Sequence, residues 1–397
     1  MRFASALSCR TELSEAIEEI AAEVSEVLEP DQRDLVIAFA TAPLAGSPEP
    51  LLGGLRDTFP HAALLASSAH SAIGGGLELE GEAALSLCVG HLPGARAVPF
   101  SLPAELPQNP GALAREFASR GIAPEDAGGY LLLLHPLSTG VENLVAQFDE
   151  LTPFDRRGSD AAAVGGIASG TGDPGDLWIA TGPSPLRSGC AGVALLGDVR
   201  VDSLVAQGCR PVGTPSFVTR TEGNAILELD GKPPLEVLQE IFVEADPREQ
   251  RLLQSALFLG LGMTEGSSHY ERGDFLVRDV LGVHEETGAL VLPSVPAPQS
   301  VVQFHVRDAH AAAEDLKLRA AALCARRPAA SGALLFSCLG RGRGLYGVPN
   351  HDSDLLAQHF PYVPTTGFFC NGEVGPVEGR TFLHTYTSVY ALMGARA

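Results

Sequence analysis

Positive charge is scarce in this sequence: 27 lysines and arginines stand against 48 aspartates and glutamates, for a formal net charge of −21. That balance argues against a nucleic-acid-binding protein and against attachment to an anionic membrane surface. Long apolar runs are also missing, because no stretch of 18 or more apolar residues is available to span a bilayer. The N-terminal stretch lacks the apolar centre of a signal peptide, so we expect a cytoplasmic protein.

Cysteine is sparse, and its spacing provides no framework for disulfides or zinc. The seven cysteines are scattered, odd in number and never in C-x-x-C spacing. This pattern is typical of unpaired thiols in a reducing cytoplasm. No H-E-x-x-H motif occurs either, so the sequence indicates no metal site.

The sequence does hold enough apolar material for a sizeable core. Hydrophobic residues make up 45% of the chain, and the mean hydropathy is +0.13, which excludes global disorder. A length of 397 residues leaves room for two or three ordinary domains or one large compact unit.

The order strand, helix, strand, helix, strand, glycine loop, strand occurs three times. Strands are expected at 2–7, 34–40, 62–69 and 84–92, then at 96–102, 130–136, 161–170 and 189–197, and finally at 301–306, 332–338, 365–370 and 382–393. Helices are expected near 13–28, 49–59, 111–119, 141–151, 308–325 and 352–360. Copies of this size indicate duplicated α/β subdomains rather than a solenoid. The sequence therefore predicts an α/β fold of mixed sheets flanked by helices, with α+β character in the middle.

Residues 198–300 have a different pattern from the three copies. Their alternating apolar residues and the Glu222-Gly223 and Asp230-Gly231 turns predict antiparallel strands. Two helices are expected to interrupt these strands, one at 234–244 and one beginning at Asp246. We therefore predict two packed domains, 1–205 and 206–393.

Several stretches resemble FIST proteins, a family named for F-box and intracellular signal transduction. In the C-terminal half these are GCRPVGTPSFVTRTEGNAILELDGKPPLEVL (208–238), FSCLGRGRGLYG (336–347) and GFFCNGEVGPVEGRTFLHTYT (367–387). In the N-terminal half, DLVIAFAT, LLASSAHSAIGGG and VGGIASG resemble the matching FIST N-terminal domain. The resemblance covers nearly the whole chain.

This resemblance implies an intracellular sensory module of bacterial type that binds small ligands such as amino acids. Members of the family are often fused to signalling output domains, and some are described as haem proteins that sense nitric oxide. Both FIST halves fill this chain, so a signal is expected to leave through a separate signalling partner protein. The expected function is ligand binding without catalysis.

Three sets of glycine-rich loops follow predicted strands, where ligands of open α/β sheets collect. They cover 67–76, 165–172, and 338–347 together with 371–379. Glycine exposes backbone N–H groups that favour anions, and arginine adds a planar fork matched to a carboxylate. Asn371 and Glu373 are expected to hold an ammonium group, which together with arginine suits an α-amino acid. The predicted ligand-binding residues are Ser67, Ser68, Cys338, Arg341, Gly342, Arg343, Cys370, Asn371 and Glu373.

The same residues allow other interpretations. Arg341 and Arg343 would also fit a solvated surface turn or ion pairs with acidic neighbours, and GRGRG matches neither a P-loop nor the dinucleotide fingerprint. Cys338 and Cys370 near histidine would suit a cysteine-dependent enzyme, or they are simply small buried apolar residues. Haem is a possible cofactor, and it would need an axial ligand. The candidate histidines are His70, His135, His305, His351 and His384.

Overall fold

The computed structural model of the chain describes residues 1–103, 111–151, 162–264, 269–327 and 329–396. The chain forms two compact units. The first holds Met1–Ala206, Leu316–Leu383 and Thr387–Ala397, and the second holds Gln207–Asp315 and His384–Tyr386. The predicted sequence domains, 1–205 and 206–393, stay a prediction, because compactness in space and order along the chain divide a protein in different ways.

The first predicted copy contains two helices and six strands. Its elements are β1 (Arg2–Ser8), α1 (Leu13–Ser25), β2 (Leu35–Ala40), α2 (Pro48–Thr58), β3 (Ala63–Ser68), β4 (Ala72–Gly74), β5 (Leu77–Leu79) and β6 (Leu85–His91). Every residue of β2 is buried, as expected of a strand covered on both faces. Helix α1 buries Ala16, Ile20 and Val24, whose spacing forms one helical face.

The second copy follows with the same order of elements. It consists of β7 (Ala95–Leu102), α3 (Ala112–Ser119), β8 (Ala127–Leu134), α4 (Val141–Ala146), β9 (Ala163–Ile167), β10 (Ile179–Ala180) and β11 (Cys190–Gly197), and β12 (Arg200–Gln207) comes directly after it. All eight residues of β8 are buried. Residue 161, where the predicted third strand of this copy begins, lies outside the described residues.

The segment with alternating apolar residues forms a seven-stranded sheet in the second unit, in the order β16-β15-β19-β13-β14-β18-β17. Its elements are β13 (Cys209–Glu222), β14 (Ala225–Leu229), α5 (Pro234–Glu244), α6 (Pro247–Ser255), β15 (Leu257–Gly262), β16 (Phe275–Asp279), β17 (Gly282–His284), β18 (Ala289–Val291) and β19 (Val301–Arg307). Asp246 caps α6, because its carboxylate accepts from the backbone N–H groups of Arg248 and Glu249.

The third copy is completed near the C-terminus. It contains α7 (Ala309–Arg326), β20 (Gly332–Cys338), α8 (Gly342–Tyr346), α9 (His351–His359), β21 (Thr365–Cys370), β22 (Glu373–Val377), β23 (Arg380–His384) and β24 (Thr387–Gly394). Among the described residues, no helix combines the length and the apolar character that crossing a membrane requires. The confirmed class is therefore α/β, with several mixed sheets.

Two predictions for the third copy are wrong. Its first strand is β12 and not 301–306, because β12 lies beside β24 whereas 301–306 belongs to the seven-stranded sheet. Most of the second unit, residues 208–308, is inserted between β12 and α7. The last strand before α7 in sequence, β19, therefore does not belong to the sheet against which α7 packs. The glycine–arginine stretch 340–344, predicted to be a loop, contains the first residues of the short helix α8 (Gly342–Tyr346).

The three sheets of the first unit exchange strands. Their orders are β1-β6-β2-β3-β10, β23-β22-β9-β8-β11-β7 and β12-β24-β20-β21-β4-β5. Each contains one parallel pair, β2 with β3, β8 with β9, or β20 with β21. Beside each pair lies a strand from another copy: β10 on β3, β22 on β9 and β4 on β21. This exchange brings the carboxyl ends of β3, β9 and β21 together.

A shared core joins the three sheets on their inner faces. Phe39 of β2 stacks on Phe368 of β21 with ring centroids 4.6 Å apart, and Phe336 of β20 meets Phe39 edge to face. Leu131 of β8 belongs to the same buried cluster. The outer faces pack against the helices of their own copies, so each sheet is covered on both sides.

Candidate functional site

The ends of three strands from three copies meet at one place, which we call the strand-end site. The backbone N–H of His70 donates to Ser169 Oγ over 2.9 Å, and Ser169 Oγ donates to the carbonyl of Phe369. The Asn371 amide donates to the carbonyl of Ala168 over 2.9 Å. The loops that follow β3, β9 and β21 therefore touch one another.

Arg341 lies beside this site and is buried, with 1% of its surface exposed. Its Nε donates to Asp352 Oδ2 over 2.7 Å and its Nη2 to Asp352 Oδ1 over 3.1 Å. Nη2 also donates to the Tyr346 hydroxyl. The guanidinium thus pairs with an acidic neighbour, which is one of the alternatives that the sequence left open. Its Nη1 is buried and has no hydrogen-bond partner among the described residues.

Asp352 anchors this ion pair on the first turn of α9. Ser388 Oγ of β24 donates to Asp352 Oδ2, and His351 Nδ1 lies 3.2 Å from Oδ1. Burial acts to raise the pKa of Asp352, but the Arg341 guanidinium and these hydrogen bonds hold it well below its usual range. Asp352 therefore stays ionised, and Arg341 keeps a charged partner.

Glu373, at the start of β22, is fully buried. Its Oε2 accepts from Thr387 Oγ1 over 2.7 Å and from the Thr387 N–H over 3.1 Å. Burial raises the pKa of Glu373 to about 8, although the Thr387 hydrogen bonds and the Arg341 charge act in the opposite direction. Burial thus favours the protonated, neutral form of the Glu373 carboxyl, which lies near Arg341.

Cys338 and Cys370 are buried opposite each other, in register at the ends of β20 and β21. The Cys370 thiol lies 3.4 Å from the Ser337 carbonyl and 3.6 Å from Glu373 Oε1. Burial raises the pKa of Cys370 well above its usual range, and the Glu373 carboxyl adds to this rise. These surroundings favour the thiol, whereas a nucleophilic cysteine needs the thiolate.

We expect slow alkylation of this cysteine pair in the native protein. Iodoacetamide at pH 8 should label Cys338 and Cys370 about 100-fold or more slowly than in urea, because a buried thiol reacts only after local opening, and burial also raises the pKa of Cys370. The exposed Cys9 provides the internal control. Peptide mass mapping over time would measure all three rates. Fast labelling of Cys338 or Cys370 would instead favour a cysteine-dependent enzyme.

Other predicted ligand-binding residues lie at the surface or contact neighbouring strands. Arg343 is exposed, and its backbone N–H donates to Glu80 Oε1 over 2.8 Å. Asn371 is also exposed. Ser68 Oγ accepts from the Trp178 N–H over 3.1 Å, so it fastens β3 to β10. The buried Ser67 Oγ has no partner among the described residues.

Sequence reasoning missed Glu78, which β5 brings next to Asp352. Its Oε1 accepts from the Ser353 N–H over 2.7 Å and from Ser353 Oγ over 2.9 Å, while its buried Oε2 has no partner among the described residues. Burial raises the pKa of Glu78 to about 7, and the charge of Asp352 adds to this rise. The alternation of Leu77, Glu78 and Leu79 indicates a strand, but it does not reveal that this strand joins the sheet of another copy.

Two histidines considered as haem ligands are buried beside backbone carbonyls. His135 Nε2 lies 3.2 Å from the Leu177 carbonyl, and His305 Nδ1 lies 3.0 Å from the Gln303 carbonyl. Burial lowers the pKa of His305 to about 4, so its imidazole is neutral. Within the described ranges, no group of three or more histidine, cysteine, aspartate or glutamate side chains is arranged to hold a metal ion.

Comparison with known proteins gives matches along most of the chain. Residues 34–232 match the FIST N domain and residues 234–376 match the FIST C domain. An uncharacterized protein of Mycobacterium tuberculosis (strain ATCC 25618 / H37Rv) is 34% identical over 393 residues, 99% of each chain. An uncharacterized protein of Mycobacterium bovis (strain ATCC BAA-935 / AF2122/97) is 41% identical over 232 residues, 58% of this chain and 60% of that one.

More distant likenesses also occur. An F-box/LRR-repeat protein of Arabidopsis thaliana is 34% identical over 79 residues, which are 17% of this chain and 15% of that one. Among solved structures, cyanuric acid hydrolase from A. caulinodans covers 100% of both chains at 10% identity with a TM-score of 0.35. A structural likeness of that size supports no functional argument.

Proposed function

The chain belongs to the FIST family, whose domains are associated with signal transduction and sensing, and from this premise we propose that it binds a small polar metabolite of the amino-acid class at the strand-end site. Binding involves no chemical step in this proposal, and a separate signalling partner protein receives the signal. The protein acts in the cytoplasm, where its seven free cysteines stay reduced.

The observation that carries the proposal is the buried Nη1 of Arg341, which has no hydrogen-bond partner in the part of the chain that the structure describes. A buried donor without a partner is costly, and more so when it is charged. The guanidinium is already fixed by Asp352, so an incoming carboxylate would meet a preorganised donor at little cost in entropy. Ser67, with its own buried unpartnered Oγ, offers a second polar contact.

Glu373 supplies the opposite end of the proposed ligand. The neutral Glu373 carboxyl forms no ion pair, but an ammonium group beside it would favour the ionised form, so Glu373 would release its proton on binding. Cys338 and Cys370 form the wall between Arg341 and Glu373 in this proposal. Gly342, Arg343, Asn371 and Ser68 border the opening.

Isothermal titration against the standard amino acids tests the proposal. Loss of one charge-assisted hydrogen bond should weaken binding roughly 10- to 150-fold. We expect that loss in Arg341→Lys and in Glu373→Gln. Arg343→Ala should have a smaller effect because its guanidinium is exposed. Arg326→Lys, on the exposed end of α7, is the matched control.

The same titrations in buffers of different ionisation heat measure proton release on binding. They test the contact with Glu373 separately from the contact with Arg341. At pH 7 the wild type should release close to one proton per ligand, because the pKa of Glu373 is about 8 without ligand. Glu373→Gln should release none. Failure of every amino acid to bind removes the amino-acid class, and a Soret band on addition of haem would support the haem sensor instead.

A further inference from the structure

The hairpin formed by β4 and β5, residues 72–79, covers the helices that follow Arg341. It comes from the first copy and extends the sheet of the third, where β4 lies beside β21. The Glu78 N–H donates to Asn350 Oδ1 over 2.7 Å. The Glu78 carboxyl accepts from the N–H and hydroxyl of Ser353 on the first turn of α9. This side chain therefore fastens the hairpin to α9.

A second carboxylate directly after the hairpin holds α8. Glu80 Oε1 accepts from the Arg343 N–H over 2.8 Å. Gly342 has a φ of +62°, and a Cβ there would lie 2.8 Å from the Glu80 carboxyl. The cover thus rests on two acidic side chains, of which Glu78 is 3% exposed and Glu80 is half-buried.

The charges around Glu78 affect whether its carboxyl holds a proton. The groups acting on it from packed elements are Asp352 on α9, Tyr346 on α8 and Tyr390 on β24, together with Glu80 on its own side. The charge of Arg341 is paired with Asp352, which His351 also contacts. Ionised Glu78 would therefore lie beside an ionised carboxylate, and no described residue donates a hydrogen bond to its Oε2.

We propose that the hairpin at 72–79 is a proton-controlled cover of the Arg341 site, docked while Glu78 holds a proton and released when Glu78 loses it. The proposal concerns the regulation of the strand-end site and rests on its proposed role in sensing. Opening would expose Glu78 to water, where a glutamate carboxyl ionises readily. Access to Arg341 should therefore increase from mildly acidic to mildly alkaline conditions.

Hydrogen exchange of the ligand-free, full-length protein tests this cover. We expect the opening equilibrium of the amides at 72–79, corrected for intrinsic exchange, to rise roughly 30-fold between about pH 5.5 and pH 8. Glu78→Gln should abolish the rise because its amide does not titrate. Glu80→Gln, on the same segment, should weaken docking at all pH values and keep the pH dependence.

Ser353→Ala provides a further variant that retains the titrating group. It removes a hydroxyl that stabilises ionised Glu78, so the midpoint of the rise should move to higher pH. A flat profile in the wild type, a rise preserved in Glu78→Gln, or an unmoved midpoint in Ser353→Ala each overturns the cover. Because no ligand is present, failure of all amino acids to bind would remove the amino-acid class of ligand and leave this result intact.

Discussion

Replacing Asp352 by asparagine should lower the free energy of unfolding of the first unit by about 3–5 kcal/mol. The substitution leaves the Arg341 guanidinium buried, at 1% exposure, without the carboxylate that receives its Nε and Nη2. Removing one partner of a buried pair costs far more than the pair contributes, because the remaining charge has no water to solvate it. Ser388 also loses its charged acceptor.

Urea unfolding followed by tryptophan fluorescence would measure this loss. The chain has one tryptophan, and Trp178 is fully buried in the first unit, so the signal reports on that unit. Asp354→Asn is the control, since Asp354 lies on the same helix and is exposed. The pair Arg341→Met with Asp352→Leu should recover most of the stability because no charge is left alone. An Asp352→Asn variant as stable as the control would contradict the buried ion pair.

The pH dependence of the same experiment follows from the depressed pKa of Asp352. Its stabilising effect is present above the pKa of an unfolded aspartate, near 4, and is lost as the pH falls through the lower folded value. Wild-type stability should therefore fall more steeply below about pH 4 than that of Asp352→Asn.

Replacing Gly367 by alanine should cost about 3 kcal/mol or more. Gly367 lies on β21 directly opposite Leu335 of β20. A Cβ there would be 1.9 Å from the Leu335 carbonyl oxygen and 2.7 Å from its carbon. These are backbone atoms, so only separation of the two strands relieves the overlap. The strands end at Cys338 and Cys370, so ligand binding should fall as well.

Gly344→Ala is the matched control within the glycine–arginine stretch. Apart from its chain neighbours and its own helix backbone, no heavy atom of the described residues lies within 4 Å of the added Cβ. Gly344 is inside α8, where alanine is favoured over glycine by up to about 1 kcal/mol. The two substitutions should therefore change stability in opposite directions by the tryptophan assay. Equal, small effects would show that β20 and β21 are not packed as closely as described.

Much of the fold could be predicted from the sequence because buried strands and amphipathic helices have distinct periods. Strands at 34–40 and 332–338 agree closely with β2 and β20, and the helix at 308–325 agrees with α7. The position of β12 in the third sheet could not be predicted, since a local pattern does not state which strand is its neighbour. The inserted second unit hid that connection.

The site was predictable only in part, for a related reason. The glycine-rich loops were predicted because they follow strands, and two of them, after β9 and β21, do meet through Ser169 and Asn371. The pairing of Arg341 with Asp352 was missed because an aspartate in the first turn of a helix is common and does not by itself indicate a buried ion pair. Glu78 is 263 residues from Arg341 in sequence, and only the strand exchange brings it to Asp352, the partner of Arg341.

That exchange also constrains how the protein is made. The stretch that matches the FIST N domain ends at residue 232, before β22, the strand that pairs with β9, has been synthesised. Its strand β4 pairs with β21, which also comes later in the chain. A nascent chain halted near residue 232 would present open strand edges, which readily pair with other chains. Emergence of residues 332–394 from the ribosome is therefore the step that completes the two sheets containing β9 and β21, and protection by chaperones matters most just before it.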